Sequence, residues 1–408
     1  MSLPVFKNRT IWQNLPQDWQ PIRLKYISRF AYGDSLPSDQ REEGNIPVFG
    51  SNGIVGYHNL ANTLAPTIVI GRKGSFGKVA YSEQPGFAID TTYFIDYRYT
   101  KEHLRWLYYA LQTLGLDDFS QDTGVPGLAR EKAYEFYLNV PPYNLQKAIA
   151  SFLDRKTAAI ATLIAKKQRL IQLLEEKRIA LINQAVTKGL NTNVPMKDSG
   201  IPWIGKIPEH WKAVLIKRVA SVFVPQRNKP ELNEEIGYPW ITLEEVGQRF
   251  VENSNRGFRV SDDAAREAGS KALQAGAVIT GCVGTFGTAS ITKSYVIINQ
   301  QIQAYIPKKI ESDFLRYCIL NSSIYFKSIA TATTIAYVNK EGFEELPIPL
   351  PPKQEQTLIS QWLNKNIQQI ERLKINIELQ IDRLQEYRQS LITEAVTGKI
   401  DVREEVTA

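Results

Sequence analysis

Two cysteines, two methionines and three histidines in 408 residues leave little material for redox or metal chemistry. Both cysteines, Cys282 and Cys318, lie in the second half, which argues against a disulfide framework and fits a reducing cytoplasm. His58, His103 and His210 are scattered and hold no ligand spacing with the cysteines, so no structural metal is expected. No apolar run approaches the roughly 18 residues that cross a bilayer. The start, MSLPVFKNRTIWQNL, lacks the apolar stretch of a secretory signal. A cytoplasmic protein without membrane contact is expected. Missing too are H-E-x-x-H, a G-x-S-x-G elbow, and a methyltransferase-type glycine loop with an aromatic-proline tetrapeptide. No catalytic constellation stands out. Charge is nearly balanced, 49 basic against 42 acidic residues for a net of +7. That permits an anionic partner without requiring one.

What is present is a repeat. GRKGSFGKVA starts at Gly71, and GCVGTFGTAS starts at Gly281, 210 residues later. The same offset aligns the 50 residues from Pro141 with the 50 from Pro351 without a gap, and 16 of those positions are identical. Shared residues include the Pro-Pro start, Leu153/Leu363, Ile160/Ile370, Leu174/Leu384, Arg178/Arg388 and the Ala-Val-Thr runs at 185–187 and 395–397. Upstream, LPQDW (15–19) echoes IPEHW (207–211) at an offset of 192, so the second copy carries about 18 extra residues before its glycines. At this length two or more domains are expected.

After Pro-Pro the long segments contain no proline, and glycine appears only at their ends. Leu363, Ile370, Ile377, Leu384 and Leu391 recur every seven residues. Leu153, Ile160, Leu174 and Leu181 hold the same register, with Lys167 interrupting. Ile149, Leu163 and Ile171, with Ile359, Leu373 and Ile381, are expected to widen the stripe. This is coiled-coil periodicity. Pro142 and Pro352 suit helix starts, and Gly189 and Gly398 suit helix ends. A greasy seam needs a partner. The other copy within the chain is the obvious one; packing on the adjoining globular part or between chains are the alternatives. Nine basic and three acidic residues in 143–190 place +6 of the net charge on the first long segment. That face is either simply solvated or turned to an anionic partner.

The spacing predicts an α+β fold: two mixed, strand-rich domains separated by two long helices that pair as an antiparallel coiled coil, with a pseudo-two-fold internal repeat. Boundaries are expected at 1–142, 143–192, 193–352, 353–401 and a tail at 402–408. Strands are expected over 46–57, 67–81 and 86–97, and over 277–291 and 294–306, each set followed by a short helix. The glycine stretch is no phosphate loop. A P-loop needs G-x-x-x-x-G-K-[ST], yet Phe76 stands five residues after Gly71, and Thr288 stands where Lys78 has its counterpart. A β-hairpin turn explains the glycines better. Asp90-Thr91-Thr92 meets Gln300-Gln301-Ile302 in the second copy. The scaffold glycines persist while polar loop residues change. That pattern fits one recognition fold aimed at two targets, and it does not fit a duplicated catalytic site.

The plan of variable domain, long helix, variable domain, long helix resembles the specificity subunit of type I restriction–modification enzymes. FGSNGIVGY, IVIGRKGSFGKVAY and IDTTYFI resemble that family's target-recognition domains. PPxxxQxxIxxFL and LITEAVTGKID resemble the starts and ends of its spacer helices. The second globular part departs more, with GYPWITLEEVG in place of the SNG stretch. The resemblance implies a non-catalytic subunit whose two domains each read one half of a split, asymmetric duplex DNA target. Its helices would set the spacer and dock two methyltransferase subunits, and restriction subunits through them. S-adenosylmethionine, ATP and Mg²⁺ would sit on those partners. A two-headed coiled-coil scaffold binding protein ligands is the competing class.

Loop side chains of Arg, Lys, Asn, Gln, Ser and Thr suit base edges, and Lys and Arg suit phosphates. The candidates in the first domain are Ser51, Asn52, Arg72, Lys73, Ser75, Lys78, Thr123 and Arg130. In the second they are Thr285, Thr288, Lys293, Gln300, Gln301, Thr333, Thr334 and Lys340. Lys166, Lys167, Arg178 and Arg388 are the candidate partner-binding residues on the helices.

Overall fold

The prolines and glycines at the ends of the two long segments bracket two helices, Tyr143–Lys188 and Lys353–Val396. At about 1.5 Å per residue, 46 residues make a rod of roughly 69 Å. The second helix ends in a Schellman cap. Gly398 takes φ +78°, its N–H reaches Ala395 O, and the N–H of Lys399 reaches Glu394 O at 2.9 Å. The computed structural model describes residues 16, 18–118, 127–284, 286–331 and 336–403. These form two compact units, 1–168 with 378–408, and 169–377. Each unit takes one globular part and half of each long helix.

In each unit the two half-helices pack antiparallel. In the first, Ile149, Leu153 and Ile160 share one core with Leu391, Ile392, Ala395 and Val396. In the second, Ile182, Ala185 and Val186 share one with Ile359 and Leu363. The intrachain pair expected from the heptads is therefore what forms. Lys167, which breaks the heptad, stays half-buried and donates from Nζ to Gln380 Oε1 across the pair. One expectation fails. Leu163 and Leu373 are 42% and 51% exposed and do not widen the seam. The covered positions lie four residues after the heptad positions Leu153, Lys167, Ile377 and Leu391: Thr157, Ile171, Ile381 and Ala395 are buried or half-buried there. A two-helix seam is one residue pair wide, and a residue three beyond the leucine turns to its flank.

In the first globular part the strands Ala31–Tyr32, Thr92–Ile95, Thr67–Gly71 and Val79–Ser82 form an antiparallel sheet in that order. Ile46–Gly50 pairs antiparallel with Gly53–His58 and parallel with Phe87–Ala88. Gln20–Arg23 pairs with Tyr137–Val140, which leads straight into the long helix. Thr67–Gly71 and Thr92–Ile95 are buried throughout, as β-branched and aromatic runs between two layers should be. The helix Leu104–Leu111 covers them with Trp106 and Leu107.

The second part repeats this plan. Ala220–Phe223, Ile302–Pro307, Val278–Gly281 and Ser290–Thr292 match the first sheet, and Phe250–Val251 adds a fifth strand. Tyr238–Ile241 pairs with Arg259–Val260 and Ile297–Ile298, as Ile46–Gly50 does with its neighbours. About ten of the 18 extra residues have their place between the strands that pair Pro47 with Tyr57 and Pro239 with Arg259, and the rest precede Val278–Gly281, where the short helix Asp262–Glu267 lies. The tight turn at Ser51-Asn52 is replaced by an excursion from Thr242 to Phe258 that supplies the fifth strand.

The repeated Pro-Pro-x-x-x-Gln proves to be a docking device. Gln146, 1% exposed, accepts from His103 N–H (2.8 Å) and donates to Pro141 O (3.0 Å). Gln356, 2% exposed, accepts from Glu311 N–H (2.9 Å) and donates to Pro351 O (2.9 Å). Each glutamine joins the first turn of a long helix to the start of the short helix of its globular part. One turn or two further on, Tyr109 Oη meets Asp154 Oδ1 and Tyr317 Oη meets Asn364 Oδ1, both at 2.7 Å. Removing a buried partner leaves its mates unpaired, at a cost of about 1–3 kcal/mol. Gln146→Ala is therefore expected to destabilise the first unit by that amount. Chemical denaturation checks it, and a loss under 0.5 kcal/mol, taken as roughly the noise for surface substitutions, contradicts it.

Candidate nucleic-acid interface

The strand Thr67–Gly71 turns back into Val79–Ser82, and Gly71 N–H closes the hairpin on Lys78 O at 2.8 Å. This is the turn the glycines predicted. Its loop is knitted to its neighbours by main-chain bonds. Arg72 and Lys73 N–H both reach Thr91 O, and Leu128 N–H reaches Arg72 O. A Cβ on Gly71 would lie 2.3 Å from Ser75 O and 2.9 Å from Ser51 O, so the Ser51-Asn52 turn presses on the same spot. Segments 51–52, 71–78, 90–91 and 127–130 thereby meet on one face.

On that face Asn52, Lys73 and Lys78 are exposed, and Ser51, Arg72, Ser75 and Arg130 are half-buried. Lys78 Nζ donates to Asn52 Oδ1 at 2.6 Å, beside a cleft of about 150 Å³ lined by Ser51, Asn52, Gly71 and Lys78. Arg72 Nη1 donates to Asp90 O at 3.0 Å. The guanidinium carbons of Arg72 and Arg130 each lie 4.9 Å from the centre of the Tyr32 ring. Arg130 also pairs with Glu131 at 3.2 Å. Tyr32 packs edge-on against Tyr93, whose hydroxyl donates to Leu128 O and is pushed up to about 12 by burial. The face is cationic, polar and held from beneath by buried aromatics, which suits an anionic partner with hydrogen-bonding edges.

The same main-chain framework recurs 210 residues on. Cys282 N–H reaches Gln301 O, Val338 N–H reaches Cys282 O, and Gly284 N–H reaches Ala336 O. The side chains it presents differ. Cys282 is buried, and burial pushes its thiol up to about 11. Thr288 is half-buried, and Gln300, Gln301 and Lys340 are exposed. Gln300 Nε2 donates to Gln226 O and Arg227 O, and Lys340 pairs with Glu344 at 3.3 Å. Lys293 is not brought to this face. It follows Ser290–Thr292 at the end away from Thr288 and pairs with Glu252 at 3.6 Å. There it borders an acidic cavity of about 390 Å³, lined also by Glu244, Gln248 and Phe250 from the Thr242–Phe258 excursion. Thr123, Thr285, Thr333 and Thr334 lie outside the described residues.

Tyr32 escaped sequence reasoning because nothing near it in the chain marks it. Only strand pairing with Thr92–Ile95 sets it beside residues 40 and 98 positions away. On the helices Lys166 and Arg388 are exposed. Lys167 and Arg178 are engaged within the pair. Arg178 and Lys374 both bind Glu175, at 2.6 and 3.3 Å. Burial favours the neutral form of Glu175, but those two cations overcome it and hold the carboxyl below its ordinary value. Among the described residues no group of three or more His, Cys, Asp or Glu side chains could hold a metal ion. Among them, too, no helix is long and apolar enough to cross a membrane.

The family described as "Type I restriction modification DNA specificity domain" matches this chain twice, over residues 16–173 and 208–381. Among curated relatives, the type I restriction enzyme MjaVIII specificity subunit of Methanocaldococcus jannaschii is 23% identical, covering 95% of this chain and 94% of its own length. The EcoDI specificity subunit of Escherichia coli is 23% identical over 48% of this chain and 40% of its own. A solved chain from work on assembly and conformational transition of the type I R-M system shares the fold, with a TM-score of 0.72 at 14% identity. It is covered in full, against 95% of this chain. The HsdS subunit of Thermoanaerobacter tengcongensis gives a TM-score of 0.53 at 15% identity, covering 95% and 98%.

The hairpin offers a direct check of how tightly this face is built. Gly74 has φ +73°, but its nearest neighbour to an added Cβ is Ser51 Oγ at 3.7 Å, so Gly74→Ala costs about 1–2 kcal/mol of backbone strain. Gly71→Ala meets carbonyl oxygens that cannot yield without moving both turns, and overpacking of about 1–3 kcal/mol adds to the lost hairpin geometry. Amide exchange of residues 49–53 should accelerate in Gly71→Ala, whose Cβ presses on Ser51 O, and remain near wild type in Gly74→Ala, while residues 71–79 accelerate in both. Equal protection of residues 49–53 in both variants contradicts this account.

Proposed function

The chain belongs to the type I restriction–modification DNA specificity family, and from that premise we propose that its two globular parts are target-recognition domains, each reading one half of a split, asymmetric DNA sequence. One observation carries the reading. The hydrogen-bond frame at 72, 91 and 128 is rebuilt at 282, 301 and 338, while the side chains it displays change from cationic to amide and hydroxyl. A frame kept and a surface varied is what two different half-sites require, because the scaffold fixes docking and the displayed groups select bases. The chain is the DNA-recognition component and performs no chemistry itself. S-adenosylmethionine, ATP and Mg²⁺ are held by methyltransferase and restriction subunits, and the assembly works in the cytoplasm. The long helices set the spacer between half-sites and dock two methyltransferase subunits. Exposed Lys166 and Arg388 lie on their outer surface, whereas Lys167 and Arg178 serve the helix pair.

Two experiments on the chain assembled with its methyltransferase subunits test this reading. Arg72→Ala, Lys73→Ala and Lys78→Ala combined should degrade or erase recognition of one half of the methylated sequence and preserve the other half. Methylome sequencing that returns the wild-type motif in both halves refutes the assignment of this face. Removing one heptad, residues 164–170, should shorten the spacer or abolish assembly. A variant that assembles and methylates with an unchanged spacer refutes the role of the helices.

A further inference from the structure

Tyr32 stands where two arginines from different segments converge. Arg72 comes from the hairpin loop, and Arg130 opens the short helix Arg130–Ala133; each guanidinium lies 4.9 Å from the ring centre. That distance is within cation–π range, and a ring that serves two cations offsets part of their mutual repulsion. Arg130 has a carboxylate, Glu131, but no carboxylate among the described residues pairs with Arg72. Arg72 is held instead by the Asp90 carbonyl through Nη1 and by the Tyr32 and Tyr93 rings. Such holding fixes the plane of a guanidinium without neutralising it.

A fixed, un-neutralised guanidinium fork has a specific complement in the major groove. Guanine presents two acceptors, N7 and O6, on one edge, and arginine bridges both. Phosphate oxygens can accept the same fork, but they carry no sequence information, so a lost preference at one base position separates the two contacts. The second globular part has neither element. Cys282 stands at the place of Arg72, and Val224 at the place of Tyr32 next to the strand Ala220–Phe223. Any effect of this arrangement is therefore confined to one half-site.

Resting on the reading of this face as a DNA reader, we propose that Arg72 reads a guanine in the half-site of the first recognition domain and that Tyr32 is its positioning residue. Tyr32 touches no base. It orients Arg72, with Arg130 bound to the same ring.

The test uses the full chain assembled with its methyltransferase subunits and reads methylation of every site in a genome or a randomised duplex library. Arg72→Gln should reduce the preference for guanine at one position of the first half about tenfold or more, the scale of a lost bidentate base contact. Tyr32→Leu, which keeps apolar volume and loses the ring, should weaken the preference at that same position. Tyr32→Phe should leave it unchanged. Tyr32 is 45% exposed on an edge strand, so its replacement spares the core, and an unchanged second half reports an intact chain. If Arg72→Gln lowers methylation of all sequences alike, Arg72 is a phosphate contact and the guanine assignment falls, while DNA reading by this face stands. If Arg72→Gln relaxes the position but Tyr32→Leu does not, the positioning role falls. If neither variant alters either half, the inference fails, and the reading of this face as a DNA reader fails with it only if the combined Arg72, Lys73 and Lys78 variant also leaves both halves unchanged.

Discussion

An apolar stripe five heptads long cannot remain in water, and no segment of this chain other than its own repeat offers a matching one. That constraint dictates the rest. In each unit half of one helix covers half of the other, and the covered seam is continuous with the core of a globular part: Leu153 and Ile160 with Trp106 and Ile68, Ile182 and Leu363 with Trp211 and Phe314. The main core of each globular part therefore runs on into the helices, while the second part also holds two smaller clusters of its own, one around Ile279 and Ile298 and one around Trp240 and Val260. The compact units run across the helices for this reason, and a division at 142/143 or 352/353 would cut through shared side chains.

Polar groups fix what the apolar seam leaves free to slide. Hydrophobic contact is non-directional, whereas Gln146 and Gln356 satisfy particular backbone groups. They lock the orientation of each globular part to the helix it precedes. The tryptophans of the LPQDW and IPEHW echoes act at the other helix ends. Trp19 lies against Gly398, where the second helix stops, and Trp211 against Gly189, where the first stops. Each globular part thus grips the start of one helix and the end of the other. A duplicated sequence folds into a repeated unit because both copies carry both grips.

On that support the recognition face can vary. Its frame is main-chain hydrogen bonds, which do not depend on side-chain identity, so Arg72 can become Cys282 and Asp90-Thr91 can become Gln300-Gln301 without loss of the hairpin. The excursion from Thr242 to Phe258 shows how far the variation extends. A two-residue turn in one copy becomes an added strand and an acidic cavity in the other.

The repeat, the two helices, their caps and their antiparallel pairing were legible in the sequence, because each follows from periodicity or from backbone chemistry local to a few residues. So was the hairpin, because its glycines mark φ and close approach. The first recognition face was legible in part. Ser51, Asn52, Arg72, Lys73, Ser75, Lys78 and Arg130 do gather, since loops at one end of a sheet must share a surface. Lys293 did not follow, because sequence nearness to Thr288 hides that a three-residue strand carries it to the opposite end. Leu163 and Leu373 were misplaced because a heptad count gives the spacing of a stripe but not the width that a single partner covers. What tertiary structure alone decided is who stands beside whom across the chain: Tyr32 under Arg72 and Arg130, Gln300 on the carbonyls of 226 and 227, Glu175 between Arg178 and Lys374. Such neighbours come from strand pairing and helix register between distant segments. A linear pattern records the period of each segment, while the contact between two segments exists only once both are packed.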